Sequence, residues 1–210
     1  EEKFDQGVAL MDKAVAEYPK SSDAWNLLGE MIGDQVQKNP SFTAMFGLVS
    51  RAFTCWDRAL EIDPQNFAAR FNRGAWAVNI PKFAGQLDKG VEDLKIIVNA
   101  LGLSPDPQAS KQLIGASSLL AKGLLKQGEY EQAKAIWLNI VKMAPGSEPA
   151  KTAQDNIVGI DRALAWFAER EKNLKPVTPE QIELEKKVAA ENPDPASIVK
   201  LSRAYLDRGD

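Results

Sequence analysis

The sequence predicts an all-α protein built as an array of antiparallel helix pairs, and three observations carry that expectation. First, a helical apolar run closes on a proline four times, at Pro19, Pro64, Pro145 and Pro193. Proline lacks the N–H that would continue a helix, so each marks a stop. Second, a phrase of small and large residues at helical spacing recurs: Ala24-Trp25-Asn26-Leu27-Leu28-Gly29, then Ala69-Arg70-Phe71-Asn72-Arg73-Gly74. Small side chains let two helices approach, and large ones three or four positions away fill the groove between them. Third, 44% apolar and 26% charged residues in a chain of 210 describe an ordinary folding sequence rather than a disordered one.

Each element follows in order. Residues Phe4 to Pro19 read as half of a pair, with Gly7, Met11 and Ala14 on one face. Trp25, Leu28 and Gly29 open a second pair, which Ala52, Trp56, Ala59 and Pro64 close. The stretch from Ser110 to Gln127 repeats the helix type through Leu113, Gly115, Ala116, Leu119, Leu120, Ala121 and Leu124, its small residues read as points of close helix approach. Gly128-Glu129-Tyr130 makes a tight turn into a helix bearing Ala133 and Trp137, which ends before Pro145. Residues 147–173 read as one long helix, and Lys172 to Thr178 as a hinge. Thr178-Pro179-Glu180-Gln181 restarts a helix, with Thr178 as N-cap, proline in the first turn and Gln181 reaching back. The expected division is 1–175 and 176–210, the second part closing with Ile198, Leu201, Tyr205 and Gly209. The chain opens at Glu1 without an initiator methionine and stops where a turn is due, so both ends are expected to be trimmed.

These tandem motifs resemble the tetratricopeptide repeat (TPR), a helix–turn–helix unit of about 34 residues. The stretch from Leu113 to Pro145 carries the fullest match, and copies cover most of the chain. The resemblance implies a right-handed solenoid of about ten helices, whose first helices line a concave face. Departures stand beside the matches. About eleven residues beyond a standard repeat separate Gly29 from Ala52, and about four beyond it separate Gly74 from Leu94. Arg73 sits where the family prefers leucine.

Composition removes several chemistries. There is no histidine, which excludes histidine triads, ligands and pH switches. One cysteine, Cys55, forms neither an internal disulfide nor a cysteine zinc site, and its place beside Trp56 predicts burial. Glu180, Glu183 and Glu185 read as solvated helix surface. The glycines form no phosphate-binding loop. A net charge of −3 disfavours nucleic acid as a partner. No apolar run reaches the length of a membrane span. Catalytic residues, metal ligands and cofactors are therefore all expected to be none.

The TPR resemblance implies a non-catalytic scaffold or adaptor that holds a peptide or partner helix in its groove. Carried across residue by residue, the groove contacts are Asn26, Glu30, Phe71, Asn79, Lys122 and Lys126. Of the family's carboxylate clamp only Asn72 matches, while Asn26, Glu30 and Leu119 depart from it, which disfavours that specialised role. The rival reading is a carrier for a lipid or other small apolar molecule. Its cavity would be formed by the insertions and lined by Phe46, Phe71, Trp76 and Phe83. A more conservative alternative for the apolar insertion around Phe42 to Val49 is that it simply lengthens the second helix. A third reading makes the chain the helical part of a larger enzyme. Self-association through the solenoid ends and a location in a bacterial envelope or periplasm are further expectations of the resemblance.

Overall fold

In the computed structural model the described residues are 2–38, 42–104, 107–173, 178–191, 199, 201 and 202. Among them lie nine α-helices: α1 Glu2–Glu17, α2 Ser22–Lys38, α3 Phe42–Ile62, α4 Phe67–Asn79, α5 Leu87–Gly102, α6 Pro107–Gln127, α7 Tyr130–Met143, α8 Glu148–Asn173 and α9 Pro179–Glu191. The chain is all-α, as its sequence predicts. The expected tenth helix falls in 192–210, almost wholly outside the described residues, and so do Ile198, Tyr205 and Gly209. The four prolines mark ends as expected, since α1, α3, α7 and α9 each stop two residues before one of them. The chain forms two compact units, 1–158 and 159–210. The hinge expected at residue 175 lies outside the described residues.

In unit 1 each helix from α1 to α6 packs on its successor, and α2, α4 and α6 also touch one another in sequence. The alignment of these three follows from their contacts. Asn66, the N-cap of α4, donates to Ser22 at the start of α2 (2.8 Å). Asn72 in mid-α4 donates to Asn26 (3.0 Å), and the Trp76 ring lies over Gly33. The partners advance together along both helices, so α2 and α4 run parallel. Phe71 shares a cleft with Gly115, while Val78 further on meets Gly123 of α6, so α4 and α6 run parallel too. Alternate helices therefore form one inner layer, and α3, α5 and α7 back it.

The core of the first pairs is built on Trp56, which is fully buried. Its ring meets Phe53 edge-on (5.4 Å between centroids) and lies beside Trp76 (6.1 Å). A Cβ on Gly29 would sit 2.7 Å from the Trp56 indole nitrogen, so only glycine admits this ring. The crossing of α4 and α5 is tighter, because a Cβ on Gly90 would lie 2.2 Å from that of Ala77.

Both departures from the repeat pattern are explained by packing. The first lengthens two helices, giving α2 its 17 residues and α3 its 21, against 13 in α4. The second forms a short 3-10 turn, Lys82–Ala84, after α4. The two pack together, with Phe46 of α3 and Phe83 of the turn at 5.9 Å.

Arg73, in place of the family's leucine, is a mostly buried cation held by carboxylates of two neighbouring helices. It donates two bonds to Asp93 of α5 (2.6 and 2.9 Å) and one to Asp57 of α3 (2.5 Å). Arg70 adds a bond to Asp93 (3.0 Å) and two to the Pro64 carbonyl, and Lys89 reaches Asp57 (2.9 Å). Asp93 is 1% exposed. Burial opposes the Arg73 charge, but its hydrogen bonds to Asp93 and Asp57 and the attraction of both carboxylates outweigh that, raising its pKa above the ordinary guanidinium value.

Unit 2 holds the second part of α8 and α9. On α8, Trp166 and Phe167 meet edge-on (5.2 Å), and the Arg170 guanidinium stands 5.4 Å from the Trp166 ring. The capping box expected at α9 is formed: the Thr178 backbone N–H donates to Gln181 Oε1 (2.9 Å), and the Gln181 N–H donates to Thr178 Oγ1 (3.3 Å).

The packing can be tested at two positions. Asp93→Ala leaves Arg73 buried without its main partner and should cost about 3–5 kcal/mol in urea unfolding, whereas Arg73→Leu with Asp93→Leu should recover most of that loss. Gly90→Ala should lower the melting temperature despite its better helix propensity, because overpacking costs about 1–3 kcal/mol. An unchanged or higher melting temperature would show that the crossing yields.

Candidate functional site

The inner layer presents small side chains from α4 between the walls of α2 and α6. Register follows from the fixed contacts above. Asn26 stands level with Asn72, so Glu30, one turn on, stands level with Trp76. Lys126 reaches the end of α4, so Lys122, one turn back, stands level with Ala75. Glu30 and Lys122 are thus on opposite walls of one row. Both are exposed, and neither forms an ion pair among the described residues.

Below that row a cleft of about 620 Å³ opens between α4, α5 and α6. Phe67 and Phe71 form one wall, Ile97 and Leu101 a second, and Gln112 and Gly115 the third. Phe71 is 39% exposed and stands at the mouth. Gly115 contributes bare backbone. A Cβ there would meet nothing within 4 Å.

The six expected groove residues divide by role. Phe71, Glu30 and Lys122 face the open layer as described. Asn26 is buried, and its carbonyl oxygen accepts from Asn72, so it ties α2 to α4. The Lys126 ammonium donates to the carbonyls of Val78 (2.5 Å) and Ile80 (3.1 Å) and closes the C-terminus of α4. Asn79 bonds back to the Ala75 carbonyl (2.8 Å) and lines a shallow depression of about 350 Å³ with Trp76.

The four residues expected around an apolar cavity do not share one. Phe46 and Phe83 line a crevice of about 80 Å³ between the two insertions. Trp76 packs into the core over Gly33, and Phe71 belongs to the separate cleft. Ile97 and Leu101 of the larger cleft escaped the sequence reading, and Gly115, read there as a point of close helix approach, has no neighbour within 4 Å of a Cβ. The cleft's only signal was that glycine in mid-helix, and sequence alone does not reveal neighbours.

Cys55 is buried, and desolvation pushes its thiol up to about 11. Arg51 opposes that shift and Asp12 adds to it. Among the described residues no group of three or more His, Cys, Asp or Glu side chains could hold a metal ion, and no helix is long and apolar enough to cross a membrane.

The thiol makes a prediction. At pH 8 Cys55 should react with iodoacetamide far more slowly in the folded chain than in urea, because little thiolate exists there and burial blocks access. Equal rates, read by mass spectrometry, would contradict the buried position.

Neither a protein-family profile nor a curated protein matches the chain. Among solved structures it is similar to a thermophilic TPR protein from Thermus thermophilus. The two share 21% identity over 75% of this chain and 71% of that one, with a TM-score of 0.47.

Proposed function

We propose that the chain is a non-catalytic protein-interaction scaffold whose α2–α4–α6 face receives a peptide or partner helix. One observation carries the reading: an apolar cleft of about 620 Å³ opens at Phe71 on a face whose upper row bears Glu30 and Lys122 as uncommitted charges. Apolar pockets with few polar groups are the usual form of a binding site. The resemblance of the tandem motifs to TPR sequences supports the same reading. Phe71, Glu30 and Lys122 are the proposed contacts, while Asn26 and Lys126 hold the face in shape. In this reading residues 1–175 serve as one interaction segment and 176–210 as the start of the next.

The test is capture from a lysate of the source cells with two baits, the native chain and Phe71→Glu. The substitution lies at a cleft mouth, so the variant should keep its helical circular dichroism. Binding of a partner held by the native chain should weaken by at least about tenfold, since a buried unpaired carboxylate is costly. A partner set held equally by both baits would remove this face from consideration.

A further inference from the structure

The scaffold reading leaves the chemistry of the partner open, and the cleft and its surroundings restrict it. Resting on that reading, we propose that the cleft between α4, α5 and α6 takes one large, uncharged apolar side chain of a peptide, and that Lys122 pairs with an acidic residue of the same peptide about 10 Å further along the face.

The walls select the anchor. Among the described lining residues none is charged, and Gln112 is the one polar side chain. A charged group entering would lose its hydration without a partner, whereas an aromatic or branched aliphatic group would gain by burial. The floor points the same way. Gly29, Gly33, Gly74, Gly90 and Gly123 each admit a neighbour that would lie under 3.0 Å from a Cβ. Gly115 admits none, although glycine inside a helix costs about 0.5–1 kcal/mol relative to alanine. Gly47, Gly102 and Gly159 share this openness, but none of them lines the cleft. The space kept at Gly115 is space for something from outside the fold.

The charges select the flank. Most nearby cations are spent within the fold, Arg70, Arg73 and Lys89 on Asp57 and Asp93 and Lys126 on carbonyls, while Lys111 is exposed at the start of α6, on the side of the cleft away from the row of Glu30. Lys122 is not spent in this way. It lies on the α6 wall, six positions beyond Ala116 of the cleft lining, which at the helical rise is about 9 Å. Glu30 on the opposite wall repels an acid and steers it toward α6. In an extended peptide this distance corresponds to about three residues. Phe71 is exposed at the cleft mouth and Ala68 lines it, so a chain lying along the inner layer passes over the opening and covers what a small molecule would leave wet.

The probe is a displayed library of random peptides about a dozen residues long, panned on the full chain, with affinities of the winners read by fluorescence anisotropy. Winners should carry Phe, Trp, Leu or Met with Asp or Glu about three positions away. Gly115→Trp fills the cleft and should weaken binding by at least about tenfold, and Lys122→Glu should weaken it several-fold, less so at high salt. Gly115→Leu replaces the tryptophan variant if that one unfolds. Winners that ignore both cleft-filling variants would overturn the anchor while leaving the scaffold reading standing. Winners of no common charge pattern that ignore Lys122→Glu would overturn the pairing. If no peptide is enriched, the proposal is overturned, and the scaffold reading is decided by the lysate capture alone. If the neutral dye N-phenyl-1-naphthylamine enters the cleft, is excluded by Gly115→Trp and competes with no peptide, the site serves a free apolar molecule and the proposal is overturned.

Discussion

The pairing of Arg73 with Asp93 is the constraint on which the arrangement of the inner layer depends. Asp93 is withdrawn from water and the Arg73 side chain mostly so, and Asp93 therefore needs its partner in a narrow range of distance and angle. A bidentate bond between a planar guanidinium and a carboxylate fixes orientation as well as separation. Because Asp57 on α3 and Asp93 on α5 bind the same guanidinium, three helices are held in one register. Hydrophobic packing alone would tolerate sliding between α4 and α5, since Gly74 and Gly90 leave their crossing smooth. The ion network removes that freedom and fixes the spacing of α4 and α5, two of the three helices that wall the cleft.

The two insertions answer a different need. A regular repeat of this kind buries its outer helix against the next pair, but α2 and α3 extend well past that contact. Their extra turns would expose Val36, Met45 and Val49. The chain after α4 folds into a short turn that covers these residues with Ile80, Pro81 and Phe83. The insertions thus shield one another. Little volume is left between them because side chains of complementary shape close it, as interiors generally do.

On the inner face, most polar groups are employed in holding helices together. Asn26 and Asn72 bond across α2 and α4, Asn66 caps α4 while reaching Ser22 and Asp23, and Lys126 closes the end of α4. The cleft is consequently framed by fixed groups, which favours a partner that adapts to the face over a face that adapts to the partner.

Much of the fold is legible in the sequence because it rests on local rules. Proline stops, the Gly128 turn, the Thr178–Gln181 capping box and the apolar spacing around Trp56 and Trp137 act within a few residues, so sequence separation and spatial neighbourhood coincide. The TPR resemblance, carried across position by position, puts Phe71, Glu30 and Lys122 among the expected groove contacts. The rest is decided by contacts between distant residues. That Asn26 and Lys126 are structural depends on partners 46 to 48 positions away. That Arg73 replaces a leucine without disrupting the core depends on Asp93, whose burial nothing in its own helix announces. The cleft needs three helices at a set separation, and the openness at Gly115 exists only once they are assembled. Periodicity determines which side of a helix a residue occupies, but only tertiary packing determines what that side meets.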